Sequence, residues 1–171
     1  MNAIVISALL GVVMMFTGIV LKKSSQVQWV AILGILGLLA ASIVDLNSVS
    51  FESKTFYNMI ELNSFTAWFN VLITFCATVY FFLFHKDISD VGKNDADFFA
   101  LLFFVLCGVF LLSTYSNLLI LFLGIEILSI PQYILAGSDK ENIKSNEAAL
   151  KYFLMGAFST GILLMGITLI Y

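Results

Sequence analysis

Six apolar stretches divide this chain, each close to the length that a helix needs to cross a bilayer. They run over Asn2–Leu21, Val27–Val44, Phe65–Phe84, Phe98–Tyr115, Leu118–Gly137 and Ala148–Tyr171. A transmembrane helix takes roughly 20 predominantly apolar residues. In hydrocarbon, only helices and closed barrels satisfy every backbone N–H and C=O group. The expected fold is therefore all-α, a polytopic bundle of six transmembrane helices. Composition agrees, because 61% of the 171 residues are hydrophobic and 11% are charged, whereas a soluble domain carries about 25% charged residues. The first run has no basic residue before it and Lys22-Lys23 after it. That is the reverse of a cleavable signal's charge order, so the run is read as a retained span.

Lysine placement orients the bundle. The chain has no arginine, and its loops alternate in lysine content: Lys22 and Lys23 in the first, Lys54 in the second, Lys86 and Lys93 in the third, none in the fourth, and Lys140 and Lys144 in the fifth. The positive-inside rule puts the odd loops in the cytoplasm and both termini outside, on the periplasmic face. The second loop, Asp45–Ser64, carries Asp45, Glu52 and Glu61 against Lys54 and is expected outside, with an interfacial stretch at Phe56–Ile60. The two-residue link Ser116-Asn117 demands that the fourth and fifth helices form an antiparallel hairpin. Ser145 or Asn146 is the expected N-cap of the sixth helix.

Several functions are excluded by what the chain contains. Cys76 and Cys107 sit in apolar runs, where a thiol acts as a small buried hydrophobe. With His85 as the single histidine, these residues cannot supply an iron–sulfur ligand set or a bis-histidine haem site. No redox cofactor or metal is expected in this chain. A net charge of −3 without a basic cluster also excludes nucleic acid as a partner.

Of the eight lysines and eleven acidic residues, all but Glu126 and Lys151 fall in loops or at span edges. A carboxylate near mid-membrane costs about 3 kcal/mol or more, and such groups usually face a bundle interior or a water path. Glu126 is thus a candidate proton-carrying group; the alternative is a protonated Glu that only hydrogen-bonds across helices. Pro131 deprives the carbonyl of Ile127 of its helical donor. That carbonyl could hold water beside Glu126, with the Ser129 hydroxyl nearby, or the proline could serve packing alone. Lys151 lies near the cytoplasmic end of its helix, four residues after Glu147, the favourable order for an ion pair. Snorkelling to the interface and a place in a proton path both fit. Gly156 and Thr160, and Ala157 and Gly161, are spaced four apart, a pattern that lets another helix approach closely. Gly34 and Gly37 hint at the same in the second helix.

Two segments carry a resemblance. The stretch LFLGIEILS (residues 121–129), followed by YILAG (133–137), resembles the antiporter-like membrane subunits of respiratory complex I, the NADH:quinone oxidoreductase. The stretch NEAALKYFLMGAFS (146–159), with GITLIY (166–171), is similar to the subunit N branch of that family. The resemblance implies a proton-translocating membrane-arm subunit of a bacterial inner membrane, with Glu126 and Lys151 in the proton path. It implies other membrane-arm subunits and the lipid bilayer as partners, and places NADH, FMN, iron–sulfur clusters and quinone elsewhere in the complex. On this reading, residues 1–97 form three N-terminal helices with their loops, and residues 98–171 begin the first antiporter-like repeat. Family subunits have about fourteen helices in two inverted units, so six spans read as an N-terminal portion. The alternatives are a subunit of a cation/proton antiporter of the Mrp type and a non-conducting structural fragment.

Overall fold

The computed structural model describes residues 2–20, 24–49, 54–56, 59–84 and 95–170. Lys22, Lys23, Glu52, His85, Lys86 and Lys93 lie outside the described residues. Among the described residues, six helices are long and apolar enough to cross a membrane, and they make this a multi-pass membrane protein. They are α1 (Asn2–Val20), α2 (Ser24–Val49), α3 (Ser64–Phe84), α4 (Asp95–Thr114), α5 (Leu118–Ala136) and α6 (Ile143–Ile170). A two-stranded antiparallel ribbon, β1 (Lys54–Phe56) and β2 (Ile60–Leu62), precedes α3.

The core forms around α4. Phe99, Phe103 and Phe110 of α4 are fully buried with Phe81 of α3, Ile35 and Leu38 of α2 and Met14 of α1. The Phe81 ring sits 5.2 Å from that of Phe99 and 5.5 Å from that of Phe103, both tilted, a geometry favoured by aromatic quadrupoles. Alanines at positions 3, 31, 96 and 100 fill the spaces between the rings. Large apolar side chains such as Phe16, Trp29, Phe65 and Leu83 point outward. In lipid this costs nothing, because the tails are as apolar as the side chains.

The α4–α5 hairpin anticipated from its short link is present, and the two helices touch backbone to backbone. A Cβ added at Gly108 would lie 2.6 Å from the Leu128 backbone nitrogen, and one at Gly124 would lie 3.0 Å from Leu112 Cδ2. The two contacts are reciprocal, each glycine opposing a leucine one turn along the partner helix. Asn117 caps α5 by accepting the Leu119 N–H through Oδ1 at 3.0 Å. The ribbon docks on this turn: Ser116 N–H donates to Met59 O at 2.9 Å and Ile60 bridges Tyr115.

Several expectations are corrected. Asp45 is not in a loop but inside α2, only 6% exposed. Its carboxylate accepts the N–H groups of Asn2 at 3.3 Å and Ala3 at 3.0 Å. It therefore caps α1 from another helix, where an anion is stabilised by the helix dipole. Residues 54–56 and 60–62, expected within an exterior loop, form the ribbon instead. Helix α6 starts at Ile143, not Ala148, and its cap is Asn142, whose Oδ1 accepts the Lys144 N–H at 3.0 Å. Ser145 and Asn146 donate instead to the carbonyls of Ala136 and Lys140. At α2 and α6 the physical reason is the same: an apolar run marks the part of a helix in hydrocarbon, and polar residues carry the same helix beyond it. Cys107 is buried as expected, whereas Cys76 is exposed on α3.

Candidate functional site

Glu126 lies at mid-length of α5, a helix with two working faces. Gly124 and Pro131 are its buried residues, and Gly124 meets Leu112 of α4, so that side belongs to the hairpin. At 3.6 residues per turn, Glu126 points about 200° away from Gly124. Tyr133 and Gly137 stand at about 180° and 220° on the same scale, and both of these meet α6. The Tyr133 ring lies 4.9 Å from that of Tyr152 and 5.8 Å from that of Phe153. A Cβ at Gly137 would lie 2.8 Å from that of Ala149. Glu126 therefore faces the α5–α6 seam. Its carboxylate is half-buried and has no hydrogen-bond or ion-pair partner among the described residues.

The register of the seam follows from its contacts. Tyr133 opposes Phe153 and Gly137 opposes Ala149, so the antiparallel helices place Glu126 level with Thr160. Lys151 lies about 13 Å further along, at a rise of 1.5 Å per residue. It also points the other way. The half-buried positions of α6 are Ser145, Ala149, Gly156, Thr160 and Ile167, a spacing of four and seven that marks one stripe. Lys151 is about 200° from Ala149, on the opposite face, and its side chain is 69% exposed. There it forms the expected ion pair with Glu147. The structure does not bring Glu126 and Lys151 together.

Gly156 and Gly161, both read from the sequence as positions of close helix approach, part company here. Any side chain at Gly156 would collide with the hydroxyl and ring of Tyr133, whereas nothing lies within 4 Å of a Cβ at Gly161. Helix α5 runs through Pro131 to Ala136. The Ser129 hydroxyl donates to Ile125 O at 2.6 Å, so it does not serve the Ile127 carbonyl that the proline leaves without a backbone donor. Sequence reasoning passed over Gln132, whose Oε1 accepts the Tyr152 hydroxyl across the seam at 3.3 Å. An amide inside an apolar run was the available signal.

Other polar groups of the bundle are satisfied within their own helix or by a neighbouring one. Thr74 and Thr78 of α3 donate to carbonyls one turn back at 2.7 Å, and Ser113 of α4 joins Asn70 of α3. A groove of about 550 Å³ between α2 and α3 is lined by Leu39, Ile43, Phe65, Trp68, Phe69 and Phe75 among others, all apolar or aromatic. It offers no proton chemistry. Among the described residues, no group of three His, Cys, Asp or Glu is placed to hold a metal.

Residues 115–171 match the family described as NADH:quinone oxidoreductase/Mrp antiporter, transmembrane. The whole chain is similar to NADH-quinone oxidoreductase subunit N of Cytophaga hutchinsonii, 39% identical over 173 residues, which cover 36% of that protein. The subunit N of Flavobacterium johnsoniae is 42% identical over 82% of this chain and 30% of its own length. For Trichlorobacter lovleyi the figures are 31% identity, 98% and 34%. The chain thus spans about a third of the length of these curated relatives.

Proposed function

The chain is homologous to NADH-quinone oxidoreductase subunit N, and on that premise we propose that it is part of a proton-translocating membrane-arm subunit that couples quinone reduction to proton movement without carrying a redox centre. One observation carries this reading. Glu126 is an ionisable group midway along a membrane-spanning helix, without a partner among the described residues, and aimed at a seam between two helices where a partner charge or water could change its protonation. NADH, FMN, iron–sulfur clusters and quinone are assigned to other subunits. The partners are the other membrane-arm subunits and the lipid of a bacterial inner membrane. The proposed orientation keeps both termini outside and Lys140 and Lys144 in the cytoplasm.

Lys151 takes a role separate from Glu126. It is displaced along the seam and faces away from α5, so any helix that it serves lies on the outer side of α6. The proposed division, with residues 1–97 as a preceding three-helix unit and 98–171 opening an antiporter-like repeat, puts Glu126 and Lys151 in the same repeat. The matched family also covers Mrp antiporters, and that second reading predicts sodium-linked proton exchange without NADH dehydrogenase activity in the purified assembly.

The test is Glu126→Gln in the full-length subunit, with the assembled complex reconstituted in proteoliposomes. NADH-driven proton pumping should fall while assembly is retained. Unchanged protons pumped per NADH would overturn the assignment. Lys151→Met should also lower pumping; normal coupled activity would restore the snorkelling account.

A further inference from the structure

We infer that Thr160 is the positioning residue for Glu126, the hydroxyl that holds its carboxyl group in the α5–α6 seam. The inference rests on the proton-carrying reading of Glu126 and follows from helix register and from elimination among the described residues. A carboxyl group in the hydrocarbon layer must find a hydrogen-bonding partner or bear the full cost of desolvation. On its own helix the Ser129 hydroxyl is committed to Ile125 O, and the Tyr133 hydroxyl lies against Gly156, four residues and so about 6 Å along α6 from the level of Glu126. Helix α4 lies on the opposite side of α5, against Gly124 and Leu128. The stripe that α6 turns toward α5 consists of Ser145, Ala149, Gly156, Thr160 and Ile167. Ser145 donates to Ala136 O beyond the far end of the seam. Thr160 is the stripe's other hydroxyl, and it is level with Glu126.

Its present hydrogen bond suits the role. Thr160 Oγ1 donates to Ala157 O at 3.3 Å, a long distance for an O–H···O bond, whereas Thr168 on the same helix makes the equivalent bond at 2.8 Å. A hydroxyl held this loosely can turn. When Glu126 is ionised, Thr160 donates to the carboxylate. When Glu126 is protonated, the carboxyl O–H donates to Thr160 Oγ1, and the hydroxyl proton returns to Ala157 O. Turning these two side chains toward each other in the seam gives each protonation state a partner.

Three readouts on the assembled full-length complex test this. Thr160→Val should lower NADH-driven pumping roughly three-fold, the scale of one interhelical hydrogen bond in a bilayer, and Thr160→Ser should restore it. In infrared difference spectra the protonated Glu126 C=O band, identified by its loss in Glu126→Gln, should shift in Thr160→Val and return in Thr160→Ser. With Cys76 and Cys107 replaced by Ala, cysteines at 126 and 160 should be joined by a short bifunctional thiol reagent, and cysteines at 126 and 151 should not. Pumping and a carboxyl band unaltered by Thr160→Val, or cross-linking of 126 to 151 in preference to 160, would overturn the inference. If Glu126→Gln leaves pumping intact, the proton-carrying reading fails by itself, while the carboxyl band and the cross-links still decide whether Thr160 is the partner of Glu126.

Discussion

Around α4, side chains from α1, α2 and α3 close on one another, and Phe99, Phe103 and Phe110 have no exposed surface at all. Around α6, no residue is buried, and the helix packs chiefly on α5. Both helices are apolar enough to cross a membrane, so hydrophobicity alone is not what separates them. In lipid it cannot be, since burying a leucine against another helix exchanges one apolar surface for another. What differs is shape. Helix α4 meets its neighbours through large rings set among alanines and through a glycine laid on a backbone. Helix α6 meets α5 along one narrow seam, where Tyr133 lies over Gly156 between Tyr152 and Phe153 and Gly137 faces Ala149. The first arrangement holds the fold; the second leaves Glu126 half-buried in a seam that can rearrange.

The comparison breaks most readily at the core. Phe103→Ala should cost about 3 kcal/mol, by leaving a cavity among four helices, and should lower the unfolding midpoint of the purified chain in detergent. The matching truncation on α6, Phe158→Ala at a side chain exposed on that helix, should stay within about 0.5 kcal/mol. Equal losses at the two sites would show that α6 is held as tightly as α4.

Gly108→Ala comes next. Its Cβ would meet the Leu128 backbone at 2.6 to 2.8 Å, and backbone cannot swing aside as a side chain can. Overpacking of this kind costs about 2 kcal/mol. The measurable consequence is a separated hairpin: cysteine pairs across α4 and α5 should cross-link more slowly in the variant. Gly156→Ala meets the ring of Tyr133, which can turn, so its cost should be smaller.

Asp45→Ala should cost about 1 kcal/mol, the usual loss for a helix cap, and should show as faster amide exchange at Asn2 and Ala3. This contact also marks how far the sequence could be read. The spans were legible because a run of apolar residues is a direct image of the bilayer. The Glu147–Lys151 pair was legible because four residues make one turn. Asp45 was not, because its role depends on α1 and α2 lying side by side, and no spacing within either helix records that. The facing of Glu126 was half legible: helical periodicity puts it on the side of Tyr133, but which side meets α6 is decided by Gly124 and Gly108 claiming the other face for α4. The Gly108 contact left no pattern, since a lone glycine in an apolar run looks the same whether it touches a backbone or lipid.

The smallest expected effect is the one that sharpens the comparison most. Gly161→Ala fills open space and should change the stability of this chain by less than about 0.5 kcal/mol, while improving local helix propensity by up to about 1 kcal/mol in a solvated context. Gly156→Ala, five residues earlier on the same helix, should destabilise, because Tyr133 must leave its place between Tyr152 and Phe153. Thermal unfolding of the two variants in the same detergent separates them. A loss at Gly161 as large as that at Gly156 would mean that the outer face of α6 is already packed, and the contrast between the two ends of the bundle would fall with it. A neutral Gly161→Ala here, paired with a damaging one in the full-length subunit, would instead identify that face as the surface on which further helices close, the same side from which Lys151 projects.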